Sequence, residues 1–197
     1  MFEYLMPHLV MPAYDGSLLA QTAEASVARQ VEYGRQRNVP WGVSESGYNT
    51  VDAHLNYQYR AFGVPGLGLK RGLGDDLVIS PYATALALMV APRAACENLQ
   101  RLSADGVEGD YGLYEAVDYT PARLPRGQSS SVIRSFMAHH QGMSLLAVAY
   151  VLLDRPMQQR FESDPQFQAT SLLLQERVPK TATRFLHAAE FPGLSTV

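Results

Sequence analysis

Ser17-Leu18-Leu19-Ala20-Gln21-Thr22-Ala23-Glu24-Ala25-Ser26-Val27-Ala28-Arg29-Gln30-Val31-Glu32-Tyr33-Gly34-Arg35-Gln36-Arg37-Asn38 carries one consistent period. Leu18, Leu19, Ala23, Val27 and Val31 recur at helical spacing, while Glu24, Arg29, Glu32 and Arg35 are polar. Ser17 can accept the free N–H groups of a first helical turn. Asn38 and Pro40 stop the pattern. A helix this long sets the expectation of a mainly α fold.

The rest of the chain agrees. Upstream, residues 1–16 are expected to be extended, with turns at Pro7, Pro12 and Asp15-Gly16. Downstream, Pro40-Trp41-Gly42-Val43-Ser44-Glu45-Ser46-Gly47-Tyr48-Asn49 reads as a loop, and Val51–Arg60 as a short helix. Five glycines in the twelve residues from Gly63 to Gly74 rule out a regular element there. Ser80-Pro81 opens a helix to about Val90, and Pro92 restarts one that stops before Gly106. Residues 107–126 are turn-rich, with room for a short hairpin. The Ser129-Ser130-Ser131 cluster is expected to cap a helix over about 131–153, with Ile133, Met137, Val148 and Leu152 on its packing stripe. Pro156 and Asp164-Pro165 open two last helices, the second ending near Arg177. Five or six helices alternate with long polar and aromatic loops, and long loops inside a compact domain are usually functional.

Composition narrows the function. A chain of 197 residues is most simply one domain. A net charge of −3 without a basic block argues against nucleic acid as a partner. One cysteine, Cys96, allows no internal disulfide and reads as a small core residue on a helix. No apolar run approaches the roughly 20 residues that span a bilayer. The opening Met1-Phe2-Glu3-Tyr4-Leu5-Met6-Pro7 has no cationic start and is not a signal peptide. It reads like the interior of a domain.

The chemistry-bearing residues sit in the loops. Glu45 lies between two serines, beside the lone Trp41. An indole offers an apolar plate for a sugar ring, and a carboxylic acid can serve the glycosidic oxygen. The alternative is a capping loop with a surface Glu and a packed Trp. Glycoside cleavage takes two carboxylates by its usual route, and Glu115 is the second candidate, again among aromatic residues. Asp75, Asp76 and Asp118 stand behind these two. His139-His140 are helix neighbours whose Cβ directions differ by ~100°, so a zinc site is not expected and no metal is assigned. One His is read as a polar core residue, with the other or Gln141 reaching a pocket. Gly66, Gly68 and Gly72 match neither a dinucleotide fingerprint nor a P-loop, so no cofactor is expected.

Several motifs in order resemble one family. They are Trp41-Gly42-Val43-Ser44-Glu45-Ser46, Phe62-Gly63-Val64-Pro65-Gly66-Leu67-Gly68-Leu69-Lys70-Arg71-Gly72-Leu73, Ser80-Pro81-Tyr82-Ala83-Thr84, Tyr111-Gly112-Leu113-Tyr114-Glu115-Ala116, Phe136-Met137-Ala138-His139-His140-Gln141-Gly142-Met143 and Leu174-Gln175-Glu176-Arg177-Val178-Pro179. The resemblance is to the glycoamylase-like domain of cyclic β-1,2-glucan synthases. It implies part of an (α/α)6 toroid, its C-terminal portion, occupying residues 1–180 and incomplete at the N-terminal side, with 181–197 as a tail or linker. It implies retaining transglycosylation of β-1,2-glucan, which closes a linear chain into a ring. An inverting β-glucan hydrolase on the same fold and a non-catalytic carbohydrate-binding helical module are the alternatives. The domain would belong to a membrane-associated synthase, on its cytoplasmic side, with glycosyltransferase and phosphorylase-like parts as partners. On this analogy Glu45 is the first catalytic carboxylate, the nucleophile, and Glu115 its partner. Trp41, Ser44, Tyr48, Tyr57, Lys70, Arg71, His139, His140 and Gln141 would bind the glucan.

Overall fold

A computed structural model describes residues 1–68, 72–177 and 179. Seven helices lie among these residues, with short strands between them. The helices are α1 (Phe2–Leu5), α2 (Leu18–Arg37), α3 (Pro81–Leu86), α4 (Pro92–Leu102), α5 (Ala138–Leu152), α6 (Pro156–Ser163) and α7 (Pro165–Thr170). α2 follows the expected bounds: Ser17 Oγ accepts from Ala20 N, and Asn38 ends it in the left-handed region at φ 56°. The helix after Ser80 runs on as a 3-10 turn to Met89, and α4 gives way to one wide turn over Ser103–Val107.

The strands are where the sequence reading falls short. β1 (Ser46–Val51) pairs antiparallel with β2 (Tyr57–Arg60), so the expected helix at Val51–Arg60 is a hairpin. The alternation Tyr57, Gln58, Tyr59, Arg60 carries the strand period of two, which was the available signal. β3 (Val78–Ile79), β6 (Ala116–Asp118) and β7 (Ser131–Ile133) form a three-stranded sheet in the order β3-β6-β7. The 131–153 helix therefore starts later, at Ala138, and the β-branched pair Val132-Ile133 supplies an edge strand instead. Ile133 is buried in the sheet, and Leu152, expected on the packing stripe, is 74% exposed. The hairpin expected near residue 110 is present as β4 (Glu108–Gly109) and β5 (Gly112–Leu113).

The opening also differs from expectation. Phe2–Leu5 is α-helical and Met6–Leu9 is a 3-10 turn, with Pro7 in its tolerated first-turn position. Leu5 and Leu9, one helical turn apart, are both buried. Cys96 is exposed on α4 rather than in the core. Two last helices follow as expected, the second continuing as a 3-10 turn to Gln175. Lys70, Arg71 and the 181–197 tail lie outside the described residues.

Two cores result. One joins α1–α5 around Leu5, Val27, Trp41, Ala83, Leu86 and Ala147. The other lies under the sheet around Val43, Val78, Ile79, Leu102, Val117 and Ile133. The segment from Trp41 to Gly47 crosses from one to the other, and amide side chains hold it. Gln30 on α2 donates to the Val43 carbonyl at 2.7 Å and accepts its N–H at 2.9 Å. Asn98 on α4 holds Trp41 in the same two-atom way. No helix among the described residues is long and apolar enough to cross a membrane.

Candidate active site

Glu45 leaves this clamped segment half-buried, on the wall of a cavity of about 330 Å³ that Phe2, Tyr4, Ser44 and Phe62 also line. Its backbone is fixed by Tyr82, whose hydroxyl reaches Ser44 Oγ at 2.7 Å and the Glu45 carbonyl at 3.0 Å. The Tyr82 ring stacks on His140 with centroids 3.6 Å apart and planes 11° apart. His140 in turn holds Glu115. Its Nδ1 lies 2.9 Å and 3.0 Å from the two carboxylate oxygens, and the pair is almost wholly buried. Glu115 also accepts the Gly47 N–H at 3.1 Å. The two carboxylates singled out from sequence are therefore joined through one aromatic cluster. A second cavity, of about 190 Å³, is lined by Tyr82, Tyr114, Glu115, His140 and Gln141.

Tyr59 completes the cluster. Its hydroxyl is 3.3 Å from His140 Nε2. Burial pushes this phenol well above its usual range, and the charge of Glu45 and a hydrogen bond to it push further. Burial does the same to Tyr82 and outweighs the opposing bond to Ser44, with Tyr59, Glu45 and Glu115 adding smaller electrostatic pushes upward. Both phenols thus stay protonated and serve as donors around Glu45 at any physiological pH. Neither was singled out in the sequence as a site residue. Tyr82 sat inside a helix-start motif, and Tyr59 inside a stretch misread as helix.

His139 and His140 come closer than their helix positions suggested. Their ring centroids are 4.0 Å apart, and a nitrogen of each lies within 4.8 Å of the other and of a Glu45 carboxylate oxygen. The ~100° rule governs Cβ directions. In the open first turn of α5 no preceding turn blocks the imidazoles from swinging to one side.

The remaining candidates are placed elsewhere. The Trp41 indole is 7% exposed and packed in the helical core, so it forms no open plate beside Glu45. A helical Gly34 makes room for it, since a Cβ there would stand 2.8 Å from Trp41 Cβ. Ser44 uses its hydroxyl internally, accepting from Phe2 N and from Tyr82. Tyr48 lies edge-on to Phe62 at 5.7 Å, under the guanidiniums of Arg60 and Arg123. Tyr57 packs against the sheet core. Asp118 and Asp76 both pair with Arg123, which leaves them structural.

The site is thus a cavity-wall carboxylate ringed by phenols and imidazoles on a helix-rich frame. The chain belongs to the Glycoamylase family, described as "Putative glucoamylase", whose pattern residues 1–165 match. It is 50% identical over 180 residues to the cyclic beta-(1,2)-glucan synthase NdvB of Rhizobium meliloti (strain 1021). That match takes in 91% of this chain, which spans 6% of the relative's length. A solved structure, the endo-beta-1,2-glucanase from Chitinophaga pinensis in complex with sophorotriose and glucose, superposes with a TM-score of 0.48 at 20% identity, covering 80% of this chain and 34% of that chain. The family match and the 50% identical relative bear out the resemblance read from the motifs.

Proposed function

We propose that this domain processes β-1,2-glucan by retaining transglycosylation, as the cyclising part of a larger synthase. The observation that carries the reading is Glu45, the carboxylate that opens onto a cavity while phenol and imidazole groups surround it. Its 50% identity to a cyclic β-1,2-glucan synthase supports the substrate. In this scheme Glu45 attacks the anomeric carbon as the glycosidic bond breaks, the second carboxyl group giving its proton to the leaving oxygen. A hydroxyl of the same glucan then displaces Glu45 in place of water and returns that proton. Glu115 is the second carboxylate, held in place by His140 and the Gly47 amide. Tyr59 and Tyr82 donate hydrogen bonds around the reacting end, and Gln141 and His139, both exposed, meet sugar hydroxyls.

We place the chain in the C-terminal portion of an (α/α)6 toroid, on the cytoplasmic side of a membrane-associated synthase. An apolar stripe on α5 supports the toroid: Leu145 is 70% exposed, Val148 38% and Leu152 74%. Residues at this i, i+3, i+7 spacing form one face, which neighbouring helices of a ring would cover. The experiment is product analysis with linear β-1,2-glucan, using the longer protein that contains this domain and its Glu45→Gln variant. Cyclic glucan from the parent and none from the variant is the expected result. Linear fragments of inverted configuration would replace the scheme with inverting hydrolysis. Unchanged turnover by the variant would remove Glu45 from the chemistry.

A further inference from the structure

The geometry points to a divalent transition-metal site formed by Glu45, His139 and His140, with Zn²⁺ the best-suited ion. One ligand atom from each residue lies within 4.8 Å of the other two. A tetrahedral zinc ion with bonds of about 2.0–2.1 Å needs its ligands roughly 3.3 Å apart. Half-buried Glu45 and exposed His139 can close that difference by side-chain rotation. His140 is the fixed member, stacked on Tyr82 and 1% exposed.

The second observation is the environment of His140. A metal-bound histidine almost always donates its other ring N–H to a carboxylate, carbonyl or water, which sets the tautomer and raises the basicity of the ligating nitrogen. His140 Nδ1 is within 3.0 Å of both Glu115 oxygens. With the proton on Nδ1, Nε2 accepts the Tyr59 O–H at 3.3 Å, a long hydrogen bond that a metal ion would displace to take the same lone pair. Two imidazoles and one carboxylate with an open fourth position match the ligand set of catalytic zinc sites rather than the all-oxygen set of Ca²⁺ or Mg²⁺. The cation would occupy the Glu45 carboxylate and the His139 ring that the proposed reaction uses, so it excludes glucan rather than assisting turnover, and its binding is read without any reaction.

The test is calorimetric titration of ZnCl₂ into the 197-residue chain, in a Cys96→Ser background that removes the exposed thiol. Co²⁺ substitution then reads the geometry through its visible absorption. One equivalent of Zn²⁺ should bind, and Co²⁺ should give an intense tetrahedral spectrum. His139→Ala, at an exposed position, should abolish both while leaving the circular dichroism of the fold unchanged. Glu115→Gln, which keeps an acceptor but loses the charge, should weaken Zn²⁺ about 10- to 100-fold. No stoichiometric binding by the parent would overturn the site, as would binding that both His139→Ala and Glu45→Gln leave intact.

Discussion

Asn98 grips the backbone of Trp41 with both ends of its amide: the Trp41 N–H donates to Oδ1 at 3.1 Å, and Nδ2 donates to the Trp41 carbonyl at 2.8 Å. The contact spans 57 residues of sequence and is buried. It anchors the segment that carries Glu45 four residues on. Asn98→Ala would leave a buried N–H without its acceptor, and is expected to cost about 2 kcal/mol. Arg101→Ala, one turn along on the exposed side, removes only a surface bond to the Asn38 carbonyl and should stay within about 0.5 kcal/mol. Urea unfolding of the two variants checks the contrast, and equal losses would refute the anchoring role.

The Glu115–His140 pair is a buried charge-assisted contact, so removing one partner strands the other. His140→Ala should destabilise the domain by about 3 kcal/mol. Adding Glu115→Gln to that variant should cost less than the sum of the two single changes, because the stranded carboxylate is gone. A double-mutant cycle measures this directly. Strict additivity would show that the two side chains do not act as a unit.

Gly42 has φ +127°, and a Cβ there would stand 2.8 Å from Thr84 Oγ1 and 2.9 Å from the Ser80 carbonyl. Gly112 has φ +99° with nothing within 4 Å of the same position. Gly112→Ala should therefore cost only backbone strain, about 1 kcal/mol, while Gly42→Ala adds a steric clash and should cost about 3 kcal/mol or more. Thermal melts of both variants give the comparison. Similar losses would mean that the Trp41–Glu45 segment relaxes away from α3.

Stability should rise with pH across the acid range. Burial pushes the Asp118 carboxyl up, but the Arg123 guanidinium and the N–H groups of Thr120 and Asn49 outweigh it and hold the group below the usual aspartate range. Its stabilisation is present above about pH 4, the unfolded value, and is lost as pH falls through the lowered folded value. Burial also lowers the pKa of His8, whose Nδ1 has no hydrogen-bond partner among the described residues. Its folded form disfavours the proton, so its share is present above about pH 6.5 and is lost as pH falls through the lowered folded value. Urea midpoints measured from about pH 2 to 7 should climb, and His8→Gln should flatten the upper part of that curve. A curve unchanged by His8→Gln would contradict the assignment.

How much was legible depends on the range of the forces involved. α2 could be read because its period, its Ser17 cap and its Asn38 stop all lie within the element. β3, with two residues, and β7, with three, are too short to show a period. They exist because β6 lies between them and pairs with both. The helix expected from Ser131 failed for this reason: the same serines and β-branched residues serve a cap or an edge strand equally well. Glu45 and Glu115 stood out from local composition alone. Tyr59 and Tyr82 did not, since each is one tyrosine among eleven until the fold sets it against His140.

Local order in the chain was enough to establish a helix-rich protein, its family and the two acidic side chains worth watching, because capping, periodicity and motif order are properties of neighbours. Which aromatic groups surround Glu45, that Glu115 is buried against His140, and that Trp41 is core rather than cleft were settled only by folding. Those outcomes depend on hydrogen bonds and packing between segments 25 to 81 residues apart, whose net energy appears only when water is removed from both partners at once.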